Sequence, residues 1–422
     1  MAKILFTTWE GGGHVQPMML VAQGLQARGH QVLVLSDACN AADSAALDLP
    51  FRAWRHAPTR LDKTAASDLL RDWEADNPME AVTRLCERII AGPAAAYARD
   101  VVEVLDAAPF DLVVSQELLF GPMMAAERAG TPLALFCANV WPFPTLPGLP
   151  PFGAGMPPAA NDQDRMLHQM VGQTTRTLFQ AGLPALNAAR EGLGLAPLAD
   201  LFDQLSVART ILLGTSRAFD FAPEPLTEPF AYAGPYVADP VGVGPWTSPW
   251  PTDDPRPLVL ITSSTLYEAQ ESLLRGVIAA LSGQPVRALV TLGPALSLAD
   301  FPGTDNVKVV TSAPHGALFG EASLVITHGG HGSVIRPLMA GLPLLVLPGL
   351  RDQRDNAARV VQRGAGLMLE RTASPEAIAE ATRSLLTEPR YRERAVALGA
   401  AIRADVDARS AEDLLEAWLP RG

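Results

Sequence analysis

Two glycine turns carry histidines, and each follows an apolar run of strand type. The first is Trp9-Glu-Gly-Gly-Gly-His14, directly after KILFTT (3–8). The second is Thr327-His-Gly-Gly-His-Gly-Ser333, directly after LVIT (324–327). An imidazole titrates near neutral pH, so His14 is a candidate general base for a substrate hydroxyl. A solvated ring at a helix start is the plainer alternative. The second turn offers backbone N–H groups and the positive end of a helix, a setting for phosphate or diphosphate. His328, Gly330, Gly332 and Ser333 are its candidate anion-binding residues. His328 and His331 stand three apart, but no third ligand is near in sequence, so no metal site is expected.

Other residue groups fit around these turns. LLVLP (344–348) leads to Asp352-Gln353, which suits hydroxyl recognition or, more simply, a helix cap. Ser263-Ser264-Thr265 follows PLVLITS and could approach the same phosphates. Trp141, Phe143 and Phe152 lie in a long proline-rich stretch (138–160). They could line an apolar cleft; loop packing is the plainer alternative. No Gly-x-Ser-x-Gly elbow, Walker lysine or His-Glu-x-x-His helix is present, so those hydrolase, kinase and zincin readings lack their residues.

The elements that must hold these residues read as alternating strands and helices. Apolar runs fall at 3–8, 31–36, 111–115, 132–136 and 210–216, then again at 257–263, 286–291, 307–311, 324–327, 344–348 and 366–370. Between 15 and 28, Val15, Met18, Met19, Ala22 and Leu25 recur at helical spacing. This alternation predicts parallel α/β sheets, with ligands at the carboxyl ends of the strands. The stretch 218–256 is dense in proline and glycine and reads as a linker. The expected division is a first α/β domain at 1–217, a linker at 218–256, a second α/β domain at 257–405 and a terminal helix at 406–422.

At 422 residues the chain exceeds the usual limit of a single core, about 250–300 residues. With 48% hydrophobic residues it can fill two. A net charge of −12 argues against nucleic-acid partners and a basic membrane-docking face. No leader and no long apolar span are read, so a soluble cytoplasmic protein without membrane insertion is expected. Three cysteines without Cys-x-x-Cys spacing suit reduced thiols.

GGGHVQPMMLVAQGLQARGHQV and THGGHGSVIRPLMAGLPLLVLPGLRDQRDNAARV together resemble the two motifs of inverting GT-B nucleotide-sugar glycosyltransferases of the bacterial natural-product type. The resemblance runs over nearly the whole chain. It implies a GT-B fold, two Rossmann-like α/β domains facing across a cleft. It implies sugar transfer from UDP-glucose or a dTDP-sugar to a hydroxyl of a small aromatic or polyketide-like acceptor, with no other cofactor. By the same resemblance His14 is the base, His328 and Gly330–Ser333 hold the diphosphate, and Asp352 and Gln353 meet the sugar. Ser264 and Thr265 approach the phosphates, and Ala313 meets the nucleobase. Arg409–Leu419 would cross back onto the first domain. The family's aspartate partner of the base falls at Gln116, with Glu117 beside it as the candidate catalytic carboxylate; a base without a carboxylate partner is the alternative. The ribose-binding glutamate falls at Arg336. These two departures keep open a non-catalytic binding protein of the same fold; a lipid-acceptor transferase is the other alternative.

Overall fold

The computed structural model describes residues 1–239, 246–264, 267–293, 296–408 and 410–419. The described strands form two sheets. The first comprises β1 (Lys3–Thr7), β2 (Gln31–Ser36), β3 (Phe51–Ala53), β4 (Leu112–Gln116), β5 (Leu133–Cys137), β6 (Thr210–Leu213) and β7 (Phe230–Tyr232), in the order 3-2-1-4-5-6-7. The second comprises β8 (Leu258–Thr262), β9 (Arg287–Thr291), β10 (Val307–Val310), β11 (Ala322–Thr327), β12 (Leu344–Val346) and β13 (Gly366–Met368), in the order 10-9-8-11-12-13. Every neighbouring pair is parallel. Helices cover both faces of such sheets, which is why β4, β5 and β8 are buried throughout and apolar up to their carboxyl ends.

Strand order reverses once in each sheet, between β1 and β4 and between β8 and β11. Connections leave to opposite faces there and open a crevice at the carboxyl ends. The register brings those ends level: Thr7 pairs with Ser115, and Thr327 with Thr262. The turns beginning at Thr8, Glu117, Ser263 and His328 are therefore the ones that line the two crevices.

The expected strands all form. Two short strands had no legible sequence signal. β3 is three half-buried residues. β7 lies inside 218–256, so that stretch is not simply a linker. Its prolines mask a three-residue strand that needs a partner on one side only, β6. On either side of β7, Phe219 and Trp250 pack into the core of the second domain. Residues 240–245 of this stretch lie outside the described residues. At the chain's end, Ala411, Leu414 and Leu415 pack with Ile4, Phe6 and Met18 of the first domain. Arg28 adds bonds of 2.8 Å to Asp413 and to Glu416. Cys39, Cys86 and Cys137 are free. Among the described residues no helix is long and apolar enough to cross a membrane.

Candidate active site

Three adjacent strands of the first sheet deliver one polar cluster. His14 follows β1 and occupies the N-cap position of the helix Val15–Ala27. Its Nε2 lies 3.1 Å from Asn139 Nδ2, beyond β5, and 3.9 Å from Glu117 Oε1, beyond β4. The ring is mostly buried. Burial first, and then the Arg351 guanidinium, lower its pKa to about 4. His14 is therefore neutral at pH 7, and the nitrogen facing the Asn139 amide keeps its lone pair. That is the protonation state a general base requires.

Glu117 is the carboxyl group that reaches His14; Gln116 does not. Gln116 Oε1 accepts from Thr8 Oγ1 at 2.8 Å and from the Trp9 amide at 3.2 Å, so it fixes the start of the turn. The Glu117 side chain is almost wholly buried, and that burial raises its pKa to about 8. At neutral pH it is therefore mostly the neutral carboxylic acid.

The second sheet presents its own cluster. Ser264, Glu268, His328, Gln353 and Arg371 line one cavity between the ends of β8 and β11. Ser264 Oγ donates to Glu268 Oε1 at 3.0 Å. Gln353 Nε2 donates to both Glu268 oxygens, at 2.8 and 3.0 Å, and its Oε1 accepts from the Gly349 amide at 2.7 Å. Burial lowers the His328 pKa, with Glu268 opposing, so the ring is a neutral N–H donor. A Cβ on Gly330 would stand 2.6 Å from His328 Nε2, so any larger residue there would have to push the imidazole aside. Gly330 caps the helix His331–Met339. The N–H groups of Gly332 and Ser333 fall in its first turn, where a helix has no acceptors of its own.

Several residues of these segments have their side-chain partners outside this cavity. Asp352 is not in this cavity; it accepts from Asn356 Nδ2 at 2.8 Å, and Asn356 also donates to the Gly329 carbonyl at 2.9 Å. Ala313 is buried in the core beside Leu318 and Phe319. The His331 ring bonds Thr215 Oγ1 of the first domain at 2.9 Å. Arg336 is paired with Asp239 and stacks over the Phe319 ring at 5.4 Å, so its charge is already matched. Thr265 lies outside the described residues.

The aromatic expectation needs correction. Trp141 and Phe143 are 1% and 2% exposed and do not line a cleft. They meet edge to face at 5.4 Å within a cluster that includes Phe120, Phe179 and Phe230. Large rings gain more by such burial than by facing solvent. Phe152 is half-buried, in the loop whose Gly153 and Gly155 amides donate to Asp355 at 2.6 and 2.9 Å.

The two clusters meet through residues the sequence reading missed. Arg351, on the loop after β12, donates to the Gly11 carbonyl at 2.9 Å and to Asp72 at 2.6 and 3.1 Å. Asn139 and Glu268 were also missed. Asn139 was legible in part, since it stands just past the end of β5. Glu268 and Arg351 lie in irregular segments and Asp72 in a three-residue 3₁₀ turn, none with a periodicity to mark it.

A neutral histidine at the carboxyl end of one sheet thus lies near a glycine-opened helix start at the carboxyl end of the other. Comparison with known proteins decides what this arrangement belongs to. Residues 292–412 match the C-terminal domain described as erythromycin biosynthesis protein CIII-like. The chain is 30% identical to the 4'-demethylrebeccamycin synthase of Lentzea aerocolonigenes, over 94% of each chain. The protein belongs to the GT-B glycosyltransferases of bacterial natural-product biosynthesis. This glycosyltransferase is also 22% identical to the demethyllactenocin mycarosyltransferase of Streptomyces fradiae, covering 99% of this chain and 87% of that one. In fold it is similar to the calicheamicin glycosyltransferase, with a TM-score of 0.75 at 23% identity over 99% and 98% of the two chains.

Proposed function

We propose that this glycosyltransferase moves a sugar, with inversion, from UDP-glucose or a dTDP-sugar to a hydroxyl of a small aromatic or polyketide-like acceptor. Neutral His14 takes the acceptor proton as the oxygen attacks the anomeric carbon. Inversion follows because the attack comes from the face opposite the diphosphate. Charge that develops on the leaving diphosphate is met by the N–H groups at Gly332 and Ser333, the helix end and the neutral His328. The reading requires no metal ion, since these donors fill that role. Ser264 and Gln353 contact the donor from the cavity side. The relatives named as a rebeccamycin-type synthase and a mycarosyltransferase support a natural-product acceptor.

The observation that carries this reading is the Arg351 bond to the Gly11 carbonyl, which ties the His14 turn to the loop that carries Gln353. The test is a turnover assay of wild type and His14→Ala with UDP- and dTDP-sugars and a panel of phenols. Release of nucleoside diphosphate should accompany a mass gain of one sugar residue. His14→Ala should lose about 10²–10⁴-fold in kcat while thermal shift by the donor persists. Full activity in the variant sinks the base assignment. Donor binding by wild type without turnover on any acceptor favours a binding protein.

A further inference from the structure

We propose that Arg351 is a positioning residue that ties the seating of the donor loop to the geometry of the His14 turn. It stands immediately before Asp352-Gln353, so it moves with the loop whose Gln353 lines the donor cavity. Its side chain leaves that domain and grips the other. Nε and Nη2 hold the two oxygens of Asp72 at 2.6 and 3.1 Å, a bidentate fork that fixes direction as well as distance. Nη1 holds the Gly11 carbonyl at 2.9 Å, three residues before His14. Asp72 is 3% exposed, so the fork is sheltered from water. Next to it, Trp73 meets Tyr267 of the second domain edge to face at 5.5 Å. Two independent contacts thus seat the 72–73 segment on the donor-side loops.

The backbone supports a dedicated role. Arg351 adopts φ +59°, a left-handed conformation that side-chain-bearing residues rarely adopt. Glycine would relieve that strain but would lose the fork. The charged and titratable groups around His14 are Glu117 beyond β4, Arg351 on the loop after β12 and His331 at the start of its helix. Arg351 is the permanent cation among them. Its presence disfavours a second positive charge on the ring and so helps keep His14 ready to accept a proton.

The inference rests on the base reading of His14, and the test separates the two. Arg351→Gln, Arg351→Lys and Asp72→Asn are compared with wild type in kcat, both KM values and the pH profile of kcat/KM. In parallel, the His14 imidazole is titrated by NMR in protein carrying isotope-labelled histidine, with its resonance assigned by its loss in His14→Ala. In Arg351→Gln, His14 should titrate at higher pH than in wild type, and the acidic limb of kcat/KM should move up with it. The shift should stop short of the ordinary histidine range, because burial is the larger cause. The value of kcat/KM at pH 7 should fall about tenfold through misplacement of the turn. Arg351→Lys should restore the titration but only part of kcat, since an ammonium cannot make the fork. Asp72→Asn keeps the cation and loosens the grip, so it should lose kcat/KM without raising the His14 pKa. An unmoved His14 titration in Arg351→Gln, or wild-type kinetics in Asp72→Asn, overturns the proposal. An active His14→Ala overturns the base reading alone, because the titration is read without turnover.

Discussion

At neutral pH the proton of the His14–Glu117 pair sits on the carboxyl group. The imidazole titrates near 4 and the acid near 8, the reverse of the usual order, because burial penalises the charged form of each. Ionising Glu117 therefore places a negative charge 3.9 Å from the ring and makes the imidazole more basic. The kcat/KM of wild type should climb as pH passes about 8, while Glu117→Gln should stay flat there; paired pH–rate profiles check this. The same group affects stability. Its folded pKa lies above its unfolded value, so the stability it confers is whole below about 4.5 and is lost as pH rises through about 8. Melting curves of Glu117→Gln should therefore gain on wild type between pH 5 and pH 9, a comparison that needs no substrate.

At the scale of elements, the strand–turn–helix unit from β11 to the helix at His331 depends on how closely its backbone approaches its neighbours. Gly329 has φ +95°, and a Cβ there would stand 2.8 Å from Val346 Cγ1 and 3.0 Å from the Gln353 carbonyl. Gly329→Ala should cost about 1–3 kcal/mol from backbone strain alone and weaken donor binding by displacing Gln353. Thermal melting and donor-induced thermal shift would show both, and an unchanged melt would refute the packing argument. This unit was legible in the sequence because glycine, helix start and buried strand are each local signals. The eleven expected strands were legible for a similar reason: most lie in continuous apolar runs, as a parallel strand covered on both faces should. β7 was not, since three residues on a sheet edge among prolines carry no period. Trp141 and Phe143 were misplaced because aromatic content does not say which side of a loop is solvent. Glu117 was found as the neighbour of His14, but its protonation depends on burial, which only the folded chain supplies.

For the whole molecule, the decisive contacts are buried polar struts between the domains, none of which has a sequence signature. After β6 the chain bonds His331 through Thr215 and Asp405 through Ser216 and the Ala218 amide. It then presents Asp220 to Arg359 of the helix Gln353–Gln362, with bonds of 2.6 and 3.0 Å to one carboxylate oxygen. The other oxygen accepts from the Tyr232 hydroxyl at 3.1 Å, and Arg359 lies over the Phe221 ring at 4.5 Å. Both side chains are essentially excluded from water, at 1% and 3% exposure. Removing one partner strands the other charge in a low-dielectric setting, which costs about 3–5 kcal/mol. Removing both replaces two desolvated charges by neutral side chains and costs less. Arg359→Met and Asp220→Asn should each lower the urea midpoint of the second domain's transition, followed by fluorescence and circular dichroism together because two domains need not unfold as one. The double variant should lose clearly less than the two singles combined. Additive losses would mean that the pair does not act as a unit. The same variants should raise both KM values more than they lower kcat, because the strut sets how the two crevices face each other and leaves His14 and its neighbours unchanged.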